Sequence, residues 1–234
     1  PNDILIAPAG PPVRRSEELT PIAILKTPAG DTVADMGQNM VGWVRLKVQG
    51  PAGTVVTLHH AEVLDKQGNI YVENLRAAKQ TIQYTLKGGG VETFEPHFTF
   101  QGFRYVSIQG YPGELTPQSL TGIVIHSAMT PAGDFETSNQ LINKLQHNIV
   151  WGQKGNFLDV PTDCPQRDER LGWTGDAQVF SRTAAFNMHV ANFFTKWLKD
   201  VAADQLPSAS VPFVIPNVLG NGATGSTGWA DAAT

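Results

Sequence analysis

The stretch VGWVRLKVQGPAGTVVTLH, residues 41–59, decides the class of the first half of this chain. In Val41–Val48 apolar and polar side chains alternate, the two-residue period of a half-buried strand. Pro51-Ala52-Gly53 turns the chain and Thr54–His59 resumes the alternation. Outward from this hairpin, the turn residues Asp65–Asn69 precede a short apolar run, Ile70–Val72. Thr81–Leu86 alternates cleanly and stops at Gly88-Gly89-Gly90. Val91–Glu95, Phe98–Phe100, Phe103–Ile108 and Thr121–His126 continue the pattern. Several short strands at this spacing predict an antiparallel β-sandwich over residues 1–130. Phe94, Phe98, Phe100, Phe103 and Tyr105 are expected mostly in its core.

The texture changes after Thr130-Pro131-Ala132-Gly133, which places a domain boundary near Met129–Gly133. A helix is predicted from Ser138 through NQLINKLQHNIVW, with Leu141, Leu145 and Ile149 on one stripe and Ile142 beside it. A second helix is predicted from about Ala177 to Ala203, because Phe186, Val190, Phe193, Phe194, Trp197 and Val201 fit a period of 3.6. Asp176 is its candidate N-cap and Pro207 ends it. Pro212, Pro216 and GNGATGSTG make the tail a loop, with a helix beginning near Gly228. Residues 131–234 thus hold a few helices whose apolar stripes need partners, since helix stability comes mostly from packing. The expectation is a piece of a longer protein.

Composition removes several function classes. Lys and Arg number 17 against 21 Asp and Glu in 234 residues, a net charge of −4. A nucleic-acid binder would show a basic surplus. Cys164 is the single cysteine, so no intrachain disulfide is expected and its thiol is read as buried and inert. His59 and His60 lie on opposite faces of a predicted strand, and the other histidines show no ligand spacing, so no metal is expected. No apolar run approaches the ~18 residues of a membrane span. The N-terminal PNDILIAPAGPPVRR carries its arginines after the apolar part and is not read as a signal peptide. Localisation stays open, with the cytoplasm favoured. Gly220–Gly225 fits GxGxxG literally, but Pro212 and Pro216 stand where a strand should precede it, so no nucleotide site is expected.

The segment Asp159–Gln178, DVPTDCPQRDERLGWTGDAQ, is the candidate for chemistry. It joins the two predicted helices and gathers Asp159, Asp163, Asp168, Glu169 and Asp176 with Arg167, Arg170 and Trp173. Long loops on a rigid scaffold commonly carry function. Carboxylates without a Ser/His or Cys/His set point to acid–base chemistry. Glycoside hydrolysis needs one protonated carboxyl for the leaving oxygen and a second carboxylate. It also needs polar groups for hydroxyls and an aromatic face for the ring. From residue types alone the alternative stays open that this is an ion-pair network stabilising a long loop. Trp229 is equally readable as core.

DVPTDCPQRDERLGWTGDAQVF resembles the signature of the bacterial α-L-rhamnosidases, glycoside hydrolase family 78. Upstream, GQNMVGWVRLKVQGPAGTVVTLHHAEVLDKQGNIYVENLR and EPHFTFQGFRYVSIQGYPG are similar to the concanavalin-like β domain that precedes that family's catalytic (α/α)6 barrel. The resemblance implies a β-sandwich followed by the first helices of an incomplete barrel. It implies Glu169 as the general acid, with Asp163, Arg167, Asp168, Trp173 and Asp176 lining the rhamnose pocket. GWADA, Gly228–Ala232, looks like a further pocket segment, with Trp229 and Asp231 as candidates. It also implies inversion at the anomeric centre, a glutamate base beyond Thr234, and no cofactor. Rhamnose-containing glycosides or polysaccharides are the expected partners, and a homodimer is left open. Burial beside Trp173 and nearby carboxylates is expected to raise Glu169, with Arg167 and Arg170 pointing elsewhere. Two other readings remain: a carbohydrate-binding β-sandwich with a non-catalytic helical segment, and an inverting α/α-barrel hydrolase for another sugar.

Overall fold

The computed structural model describes residues 7–234. The first six residues, on which part of the leader reading falls, lie outside the described set. The β half holds eight strands: β1 (Val13–Leu19), β2 (Ala23–Lys26), β3 (Thr32–Gln49), β4 (Val55–Ala61), β5 (Thr81–Thr85), β6 (Val91–Phe94), β7 (Gln101–Gln109) and β8 (Leu120–Ser127). The sheet runs β1-β8-β3-β7-β4-β5, with β2 and β6 also on β3. The pairings made by β3 and β4 are antiparallel.

β3 organises this sheet. Its first part pairs with β2 and β7, and its last part with β8 and β6. Between Asp35 and Met40 the register with β7 shifts. Such a bulge bends a strand and raises its twist, so one long strand serves both ends of a curled sheet. Arg104 holds the bend, donating to both Asp35 carboxylate oxygens at 2.8 Å. Val33, Val44, Leu46, Val56, Leu58, Phe103, Val106 and Ile123 fill the interior.

The expected strands over Val41–Val48, Thr54–His59, Thr81–Leu86, Val91–Glu95, Phe103–Ile108 and Thr121–His126 all have counterparts. Ile70–Val72 does not: Ile70 makes one bridge to Leu64, and a 3-10 turn follows at Glu73–Leu75. Phe98–Phe100 is irregular, and Phe98 is fully exposed at φ 56°, so of the aromatic set only Phe103 is fully buried. β1 and β2 have no expected counterpart, because VRRSEEL shows no apolar alternation and AILK is only four residues long.

The helical half holds α1 (Gln140–Asn156), a two-stranded turn of β9 (Phe157–Leu158) and β10 (Val160–Pro161), α2 (Thr174–Asn187), α3 (Ala191–Asp204) and the short α4 (Thr227–Ala230). Asn139 caps α1, its Oδ1 accepting from Leu141 N at 2.9 Å. The single helix expected over 177–203 is two. The chain breaks after Asn187, where Met188 bridges Pro131, His189 N donates to Thr130 O and Ala132 N donates to Asn187 O. Asp176 is not the N-cap: α2 starts earlier, Trp173 caps it and Asp176 sits in its first turn.

The chain divides into two compact units. Arg15–Ile125 with Pro165–Asp168 forms the β unit. His126–Cys164 and Glu169–Thr234, with the described residues before Arg15, form the helical unit. In the latter, Phe157, Ala184, Met188, Val190 and Phe193 make one core cluster. Ala177, Trp197, Val201, Val211 and Ile215 make another. The stripe expected to bury α1 does not do so: Leu141 is 81% exposed and Leu145 58%. Among the described residues no helix is long and apolar enough to cross a membrane.

Candidate active site

The site is built where α1 hands over to α2. Asn156 ends α1, and its carbonyl accepts from both the N–H and the hydroxyl of Thr162 at 2.8 Å. Those two bonds close the β9–β10 turn and launch Asp163 from the end of α1. Asp163 then ties the acidic segment shut. Its N–H donates to Leu171 O at 3.1 Å, and its Oδ1 accepts from Leu171 N at 3.0 Å. Trp173 follows, bridged to Val214, and Thr174 is fully buried with its N–H and hydroxyl both on Phe213 O.

This anchoring fixes Glu169. The Trp173 indole N–H donates to Glu169 Oε1 at 3.1 Å, so the side chain named as acid and the aromatic beside it are in direct contact. Asp176 projects from the first turn of α2. Lost hydration pushes its carboxyl above the ordinary range, and the charges of Asp163 and then Glu169 push the same way, against its own backbone N–H. Asp176 is exposed as a residue, so solvent screens this repulsion and the shift is modest in energy.

A pocket of about 580 Å³ adjoins these groups, lined by Thr162, Asp163, Asp176, Phe180 and Trp229 among others. Trp229 is 38% exposed and leans on Phe213, with ring centroids 5.7 Å apart. It reaches the pocket because residue 175 is glycine: a Cβ there would stand 2.8 Å from the indole nitrogen. Trp229 is therefore a wall of the pocket and not core.

The structure thus brings Asp163, Glu169, Trp173 and Asp176 together and sets Trp229 along the same pocket. Arg167 and Asp168 go with the β unit through Pro165–Asp168. Asp231 is exposed in the 3-10 turn Asp231–Ala233 and does not line the pocket. Asp159 faces Lys196 at 3.0 Å instead. Cys164 is half-buried rather than buried. One ligand atom each from Asp163, Cys164 and Glu169 lies within 4.8 Å of the others. Two carboxylates and a thiol could ligate a metal, but acidic groups on an accessible loop gather without one.

Sequence reading missed the polar inner face of α1. Gln146 donates to Asn187 Oδ1, Asn187 donates to Gln153 Oε1, both at 2.9 Å, and Gln153 donates to Ala184 O at 3.3 Å. Gln153 and Asn156 also line the pocket. The signal was there: 146, 149, 153 and 156 share one helical face, and three of the four are amides.

Two family models match in succession. The bacterial α-L-rhamnosidase concanavalin-like domain matches residues 25–126, and the bacterial α-L-rhamnosidase six-hairpin glycosidase domain matches residues 130–234. An α-L-rhamnosidase of Streptomyces avermitilis is 51% identical over 234 residues, 99% of this chain but 23% of that protein. The crystal structure of Streptomyces avermitilis α-L-rhamnosidase complexed with L-rhamnose superposes with a TM-score of 0.94 at 52% identity, covering 97% of this chain and 22% of the other. Native α-L-rhamnosidase from Aspergillus terreus gives a TM-score of 0.96 at 49% identity, covering 99% and 27%. The chain therefore spans about a quarter of the length of the relatives it matches. With the two domain models matched in order along nearly its whole length, the chain belongs to the bacterial α-L-rhamnosidases, of which it carries the concanavalin-like β-sandwich and the first helices of the six-hairpin domain.

Proposed function

We propose that the protein to which this chain belongs hydrolyses terminal α-L-rhamnosyl bonds with inversion, and that Glu169 is its general acid. The observation that carries this reading is the Trp173–Glu169 hydrogen bond at the edge of a pocket walled by Asp163, Asp176 and Trp229. An acid must be held still to deliver its proton along one direction, and the indole donor on Oε1 restrains the Glu169 carboxyl. Asp163 and Asp176 would accept from sugar hydroxyls. Trp173 and Trp229 would meet the apolar face and the methyl of a 6-deoxy sugar. Arg167, Asp168 and Asp231 are proposed to line the same sugar site in the whole protein, with residues 1–130 and 131–234 as its two domains here. The base would come from outside this chain. That relatives at about half identity are named α-L-rhamnosidases, one of them complexed with L-rhamnose, supports the substrate class.

The test is the anomeric form released by the complete protein from an aryl α-L-rhamnoside, followed by NMR before mutarotation. Inversion gives β-L-rhamnose first; α-L-rhamnose first would reject it. On an alkyl α-L-rhamnoside, whose departing alkoxide must be protonated, Glu169→Gln is expected to cut kcat by about 10²–10⁴-fold. Full turnover by that variant would reject the acid assignment.

A further inference from the structure

Glycine is among the poorest residues inside a helix, yet position 175, in the first turn of α2, is glycine. Its backbone is not in the left-handed region, so alanine would suit the helix better. The reason for glycine lies in α4. A Cβ built at 175 would stand 2.8 Å from Trp229 Nε1, 2.9 Å from Cε2 and 3.0 Å from Cδ1. Real side chains almost never come that close. All three atoms belong to the five-membered ring of the indole, so that ring rests directly on the bare α-carbon.

The helix that carries Trp229 is not free to back away. Ala230 and Ala232 pack against the core cluster of Ala177, Trp197, Val201, Val211 and Ile215. Ala177 is buried and lies two residues beyond Gly175 on the same helix. The Phe213 ring also crowds the indole, tilted by 51° at 5.7 Å between centroids. Phe213 is fixed in turn, because its carbonyl accepts from Thr174 N at 2.9 Å and from the Thr174 hydroxyl at 3.0 Å. A methyl at 175 therefore meets a rigid ring whose own helix is pinned. The indole has to give, and it gives at the wall of the pocket that Gly175, Asp176 and Trp229 line together. All these residues belong to the helical unit.

We propose that Gly175 is a positioning residue that sets the sugar affinity of this pocket: its missing side chain seats the Trp229 indole as the apolar wall. This rests on the functional reading above and deepens it, since it gives a residue without a side chain a part in holding the sugar. A wall that packs on a sugar makes the same contact before and during bond cleavage. Its displacement therefore shows in KM and not in kcat.

In the complete protein, Gly175→Ala is expected to raise KM for 4-nitrophenyl α-L-rhamnoside about three- to tenfold, the worth of one aromatic contact, with kcat kept within about twofold. The inhibition constant of free L-rhamnose should rise alongside, because the wall meets the sugar and not the leaving group. A smaller folded fraction lowers apparent kcat and leaves KM untouched, so a merely structural role for Gly175 does not give this pattern. Trp229→Ala should raise KM as well. In that background Gly175→Ala should change KM by less than about twofold, because both changes act on one contact. Gly133→Ala, whose Cβ meets nothing within 4 Å, should leave KM at the parental value. If Gly175→Ala yields no folded protein, the double variant with Trp229→Ala decides: its folding supports the contact and its failure to fold overturns it. An unchanged KM, a fall in kcat alone, an unchanged inhibition constant, or the same rise in KM with and without Trp229 overturns this inference while parental turnover keeps the functional reading. No turnover by the parent protein overturns both.

Discussion

At the scale of single residues, the carboxylates of this chain differ by surroundings and not by type. Asp159 spends its charge on Lys196, while the charges of Asp163 and Glu169 bear on Asp176. A carboxyl raised on folding binds its proton more tightly in the folded chain than in the unfolded one. Its ionisation therefore costs stability, and the cost sets in as pH rises above the ordinary value of 3.8. Asp176→Asn removes that cost. Thermal melts at pH 7 should show the variant higher than the parent by about 1–2 °C, small because the residue is exposed. The gap should close below about pH 4, where the carboxyl is protonated in both states. A parent more stable than the variant at pH 7 would mean that attraction to the N-terminus of α2 outweighs the repulsion. The members of this cluster were legible as types, since so many acids in a segment cut by Pro and Gly do not suit a connector. The Trp173–Glu169 bond was not, because it depends on the irregular course of the loop that Asp163 and Leu171 close, and the amide run behind the pocket was not, because it depends on how α1 and α2 face each other.

At the scale of elements, alternation located the strands that bury one face, and it failed where the partner and not the pattern makes the element. The break between α2 and α3 shows why. Met188-His189-Val190 contains no Gly or Pro, and the apolar period runs through it undisturbed. The helix stops because Asn187, Met188 and His189 give their backbone groups to Thr130–Ala132, a pairing across more than fifty residues. The break also sorts a stripe that looked continuous. Phe193 is 1% exposed and stacks on Phe157 at 4.6 Å and 7°, whereas Phe186 on α2 is 74% exposed. Phe193→Ala should cost the helical unit about 3–5 kcal/mol. Phe186→Ala should cost this chain under about 0.5 kcal/mol. Denaturant unfolding followed by tryptophan fluorescence measures both. Equal costs would mean that the period, and not the break, governs packing.

At the scale of the whole molecule, two features show what this chain does and does not contain. The first is a set of large apolar side chains turned outward in the helical unit: Leu141 at 81%, Leu145 at 58%, Val179 at 81% and Phe186 at 74% exposed. Helices so placed expect further helices, which agrees with a chain spanning about a quarter of its relatives. The second is the carboxylate geometry. An inverting pair stands about 6.5–9.5 Å apart so that a water fits between. One oxygen each of Asp163 and Glu169 lies within 4.8 Å of the other, a closer approach than that spacing describes, so the functional reading proposed above takes its base from outside this chain. On that reading, this chain supplies the acid and the base comes from elsewhere in the protein. The isolated 234 residues are accordingly expected to show no hydrolysis of 4-nitrophenyl α-L-rhamnoside, and to bind a hydrophobic dye through the outward-facing residues. Leu141→Glu with Leu145→Glu should reduce the dye signal without restoring turnover. Inverting hydrolysis by the isolated chain would place a base among these residues and overturn the division of the reaction argued here.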